Sequence, residues 1–112
     1  MEYEISVRNK LTYVGYLVAR ALVNNRMSLN EFRKLSNYAL APNLLLLRTR
    51  SQMTVGTNQA DDKRRYHVYQ NMGIPYNNDV YYATRDWREG SVKPFLQFLR
   101  ANFPRVDIKK VF

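Results

Sequence analysis

The sequence predicts a mostly helical α+β domain over residues 1–112, with about four helices and a Tyr-rich β-hairpin between the third and the last. Three observations carry that expectation. Apolar residues recur at three- and four-residue steps near the chain start and again near its end, the period of a helix with one buried face. A capping box, Ser28-Leu29-Asn30-Glu31, opens a second helical stretch. Two runs rich in Tyr and Val flank a segment holding Gly73, Pro75, Asn77 and Asn78, a pattern of pleated arms around a turn. The alternative is an all-α chain, in which Lys63 to Met72 forms a helix closed by Gly73, with Tyr66, Tyr69 and Met72 on one face.

The first helix is expected over Ser6 to Asn24. Val7, Leu11, Val14, Val18 and Leu22 form its stripe, Leu17 and Ala21 widen it, and Asn24-Asn25 tolerates the left-handed geometry of a helix end. The second starts at the Ser28 cap and presents Phe32, Leu35 and Ala39 on one face. Pro42 disfavours helical geometry in the residue before it, so a third helix is expected from Asn43 to about Met53. Its four consecutive leucines, Leu44 to Leu47, exceed one stripe and call for burial on several sides or a partner. Thr54 to Asp62 is polar, with Gly56 and Asn58, and reads as a loop. The hairpin arms are Arg65 to Gln70 and Asp79 to Arg85. Ser91 caps the last helix, Pro94 sits in its first turn, Phe95, Phe98 and Leu99 form its apolar face, and Pro104 ends it. Val106 to Phe112 is a tail of alternating character, an edge strand or a mobile end.

Charge narrows the partner. Eighteen Lys and Arg oppose 9 Asp and Glu, for a formal net charge of +9. Such an excess repels itself in a compact state, and an anionic partner relieves it. Nucleic acid, DNA or RNA, is the first candidate. The absence of Cys excludes disulfides, thiolate metal sites and a Cys nucleophile. The opening Met1-Glu2-Tyr3-Glu4 is acidic, unlike a signal peptide, and the most apolar run, Leu11 to Ala19, is shorter than the roughly 20 residues that span a bilayer. The chain is therefore expected inside the cell, in cytoplasm or in the nucleus of a host cell, and not in a membrane. Its profile is that of small viral or phage accessory proteins.

Lys63-Arg64-Arg65, followed by Tyr66, His67 and Tyr69, joins cations that neutralise phosphates to rings on which unpaired bases stack. With Arg48 and Arg50 from the acid-free stretch between Glu31 and Asp61, and Tyr82 and Arg85 from the second arm, these form the candidate nucleic-acid surface. The second helix, the Ala41-Pro42 break, a third helix bearing Arg48 and Arg50, and a following hairpin resemble a winged helix-turn-helix in outline.

Two other readings come from different classes. A small ribonuclease without metal would use Arg65, Tyr66, Tyr82 and Arg85 around phosphate, with the single histidine, His67, as an acid or base. A protein-interaction or assembly subunit is suggested by the leucine run and by Phe95, Phe98, Leu99 and Phe103, and this apolar excess leads to the expectation of a homodimer. Asp107-Ile108-Lys109 is an acid-x-Lys triplet similar to that of PD-(D/E)XK nucleases, which hold Mg²⁺ with it, but the remaining strands and helix of that core have no sequence to come from. No nucleotide-cradling glycine motif, H-E-x-x-H or zinc ligand set is present, so no catalytic residue, metal or small-molecule cofactor is assigned.

Overall fold

The structure, a computed structural model, describes residues 2–6, 11–24, 26–42, 44–54, 65–104 and 107–111. In chain order these form β1 (Glu2–Ser6), a 3₁₀ turn (Leu11–Tyr13), α1 (Val14–Val23), α2 (Leu29–Ser36), β2 (Ala39–Ala41), β3 (Leu44–Leu45), β4 (Leu47–Thr49) and α3 (Arg50–Thr54). A second 3₁₀ turn (Gln70–Met72), β5 (Ile74–Tyr76), β6 (Asp79–Ala83), α4 (Glu89–Asn102) and β7 (Asp107–Val111) follow. The architecture is mixed α+β and not all-α, with four α-helices and two small antiparallel sheets among the described residues.

The second helix begins where its local chemistry requires. The Ser28 hydroxyl accepts from the Glu31 N–H at 3.2 Å and the Glu31 carboxylate accepts from the Ser28 N–H at 3.1 Å, so two end donors are satisfied reciprocally. The helix stops at Ser36, however, and Ala39 lies in β2. The first helix is shorter than its stripe suggests. Ser6 belongs to β1, which pairs in parallel with β7 from the other end of the chain, a partner that no local pattern reveals. Val7 and Lys10 lie outside the described residues. The expected tail is thus a strand, and Asp107, Ile108 and Lys109 lie on it.

The largest departure is at the leucine run. Residues expected in a third helix form β3 and β4, and the helix proper is only Arg50–Thr54. A short apolar run suits a buried strand as well as a helix, and here tertiary pairing decides. β4 pairs antiparallel with β6 (Leu47 with Ala83, Arg48 with Tyr82, Thr49 with Tyr81). The helix-turn-helix outline therefore fails, because its reading helix is a strand.

The hairpin is also tighter than expected. β5 and β6 pair through Ile74–Tyr81, Pro75–Val80 and Tyr76–Asp79, closing on Asn77 and Asn78, both at positive φ (50° and 65°). Two left-handed central residues make the type I′ turn that matches strand twist, and Asn tolerates that geometry. Pro75 stands at a non-hydrogen-bonded position on the sheet's edge, so its missing N–H costs no ladder bond and blocks further pairing there. Of the expected first arm, only Tyr66 bridges β6's continuation, at Thr84.

One face of the β4–β6–β5 sheet carries Leu47, Ala83, Tyr81, Ile74 and Tyr76 and packs beneath α1 and α2. Phe32 of α2 stacks on Tyr76 at 3.9 Å between ring centroids and meets Tyr81 edge-on at 4.7 Å. The Tyr76 hydroxyl donates to the Met27 carbonyl at 2.8 Å and ties the hairpin to the α1–α2 connection. α4 completes the core with Val92, Phe95, Leu96 and Leu99. It starts at Glu89, two residues before the expected Ser91 cap, so Pro94 lies beyond its first turn; the carbonyl four residues earlier belongs to exposed Gly90, where water can replace the lost bond. Leu44, Leu46 and Leu47, with Phe95, Leu99 and Phe103, are buried within one chain. Leu45 of the leucine run and Phe98 of α4 are half-buried. Among the described residues, the exposed large apolar side chains are Leu17 of α1, Leu29 of α2, Tyr69 and Val80 of β6.

Candidate nucleic-acid interface

The sheet's other face holds part of the predicted site. β4 alternates buried Leu47, half-buried Arg48 and buried Thr49, so Arg48 points away from the main core and lies opposite Tyr82. A second, smaller apolar cluster of Leu44, Tyr66 and Tyr82, with Leu40 and Val68 against it, fills this face. Tyr66 is 1% exposed and its hydroxyl donates to the Leu45 carbonyl at 2.6 Å; Tyr82 is 7% exposed. Neither ring offers a face to an unpaired base. Each instead supports an arginine: Arg48 lies 5.9 Å from the Tyr66 ring centroid and Arg50 lies 5.1 Å from that of Tyr82.

Arg50 is fixed more firmly than a surface arginine usually is. Its Nε donates to the Tyr82 hydroxyl at 3.2 Å and its Nη2 to the Val68 carbonyl at 2.9 Å. The residue remains exposed, so the rest of its planar edge faces solvent. The Val68 carbonyl belongs to the peptide that leads into Tyr69, which is 66% exposed.

Arg65 and Arg85 meet at the end of the sheet. The Arg85 N–H donates to the Arg65 carbonyl at 2.6 Å, which also accepts from the Thr84 hydroxyl at 2.7 Å. Thr84 is fully buried, and its N–H bonds to the Leu46 carbonyl at 2.9 Å, anchoring the junction to the core. Both arginines are exposed. Alternation along β6 into Thr84 turns Arg85 to the side opposite Arg48 and Tyr82, so the predicted residues do not share one face. Lys63 and Arg64 lie outside the described residues.

His67, the single histidine, is 3% exposed. Its Nε2 lies 2.7 Å from the Thr12 carbonyl, an acceptor, so Nε2 carries the proton and donates. Tyr13 stacks on the ring at 4.8 Å and Tyr16 meets its edge at 6.5 Å. Burial, reinforced by the nearby Arg85 charge, pushes its pKa down, against the upward pull of the Thr12 carbonyl. It is a packed, neutral imidazole with no approach for a substrate. Among the described residues, no three His, Asp or Glu side chains gather where they could hold a metal ion, and no helix is long and apolar enough to cross a membrane.

A separate groove of about 230 Å³ between α1 and β5 is lined by Tyr16, Arg20, Asn24, Asn71 and Pro75 among others. Arg20 is its one cation, and the C-terminal end of α1, which disfavours anions, lies beside it. Sequence reasoning named the arginines but missed that Tyr66 and Tyr82 are their supports. Comparison with known proteins finds no match: no family model, no curated protein and no solved structure matches this chain.

Proposed function

We propose that the chain is a nucleic-acid-binding module that contacts phosphates through exposed arginines at the β4–β6 sheet and its end. The observation that carries this reading is the pairing of Arg65 with Arg85. The Arg85 N–H bonds to the Arg65 carbonyl, so two exposed arginines sit on hydrogen-bonded backbone at a junction tied to the core. Two like charges held on paired backbone repel each other, and a bridging anion relieves that repulsion. A net charge of +9 gives the same preference at long range. Phosphodiester oxygens fit both, because guanidinium groups bind them through paired, charge-assisted hydrogen bonds. The reading needs neither catalysis nor a homodimer.

Retention on an immobilised oligonucleotide tests it. The chain is expected to bind in low salt and elute as salt rises, and the double variant Arg65→Gln, Arg85→Gln to elute earlier. Passage through the column unretained in low salt would overturn the reading.

A further inference from the structure

Given that reading, we infer that the site selects single-stranded over duplex nucleic acid, with an unpaired base stacked on the platform formed by Arg50 and Tyr69. The argument begins with the immobility of Arg50. Its guanidinium is held over the buried Tyr82 ring and bonded to Tyr82 and to the Val68 carbonyl, so its plane is set before any ligand arrives. Tyr69 continues the same peptide and is, among the described residues, the most exposed of the large apolar side chains. A fixed guanidinium bonded to the peptide that leads into an exposed ring offers a base planar surfaces at little ordering cost.

A duplex cannot use this platform, because its base faces are already stacked on one another. Neither α3 nor the hairpin tip, among the described residues, suits a duplex groove. α3 has five residues, and the hairpin tip is Asn77-Asn78 followed by exposed Asp79, which a phosphate-lined groove would repel.

The test measures fluorescence anisotropy of one labelled oligonucleotide, alone and annealed to its complement, at several salt concentrations. The single strand is expected to bind about 10-fold or more tightly than the duplex, the scale of one base stack. Tyr69→Ala is expected to lower single-strand affinity about 10-fold and leave duplex affinity unchanged, while Tyr69→Phe keeps the wild-type preference. Arg50→Lys, which keeps the charge and loses the plane, is expected to narrow the same gap. Equal affinity for strand and duplex, or a Tyr69→Ala variant that binds single strands as wild type does, overturns the inference and leaves the proposed function standing. Absence of binding to either form in low salt overturns both.

Discussion

The guanidinium of Arg50 lies 5.1 Å from the ring centroid of Tyr82 and donates to that residue's hydroxyl at 3.2 Å. These residues are 32 apart in sequence, and the β4–β6 register brings them together. The contact converts a flexible cation into a fixed surface feature. Tyr82 is buried against Leu44 and Tyr66, and its ring is the floor beneath the arginine.

Gly15 is expected to resist replacement. A Cβ there would stand 2.9 Å from Leu46 Cδ1 and 3.1 Å from two atoms of the Trp87 indole. Both neighbours are buried, and the indole is pinned by its Nε1 donating to the Thr84 carbonyl at 3.0 Å. Helix propensity alone would make Gly15→Ala stabilising by about 1 kcal/mol. Overpacking costs about 1–3 kcal/mol, so a net loss of about 1 kcal/mol is expected in the denaturation midpoint. A gain would mean that α1 sits farther from Trp87.

Ser28→Ala removes one half of the capping box and is expected to cost about 1 kcal/mol. Ser28 contacts Glu31 and caps α2, which carries neither Arg50 nor Arg85, so oligonucleotide binding at a temperature well below unfolding should not change. Urea denaturation and binding on the same sample check both parts.

These two sites show what local sequence can reveal. The capping box depends on residues three apart and was legible outright, as was the stripe Val14, Val18 and Leu22 that α1 buries. The leucine run was not. Leu44 joins the small cluster while Leu46 and Leu47 enter the main core, and that division follows from pairing with residues near 83. The site divided in the same way. Arg50, Arg65, Arg85 and Tyr69 are exposed, as a binding role requires, whereas the burial of Tyr66 and Tyr82 is set by long-range contacts with residues 45, 48 and 84. Asn77-Asn78 carried a turn signal, but Pro75 disguised β5, because proline is compatible only with an edge strand.

Stability is expected to fall as pH drops below neutrality because of His67. Its folded pKa lies below the ordinary 6.5, through burial first and the Arg85 charge second. The unfolded chain therefore takes up a proton at a pH where the folded chain does not, and stability rises with pH across that window. The contribution is present above about 6.5 and is lost as pH falls below it. Among the described residues, the groups facing the ring are Tyr13, Tyr16, the Thr12 carbonyl and Arg85, with no carboxylate among them. Since the chain has one histidine, its imidazole resonance titrates without ambiguity. A midpoint below 6.5 in the folded protein is expected, and one above it would mean that the ring is solvated or paired with an acid.

The salt dependence of oligonucleotide binding by wild type and by Arg65→Gln, Arg85→Gln bears most directly on the proposed function. Both residues are exposed, so the variant is expected to fold as wild type does. For the wild type, the logarithm of the association constant should fall linearly with the logarithm of salt concentration, as counterions released from phosphates require. Each arginine removed should reduce the slope by about 1, so the double variant is expected to show a line shallower by about 2. An unchanged slope, or no binding by the wild type at the lowest salt, would contradict a phosphate contact at Arg65 and Arg85.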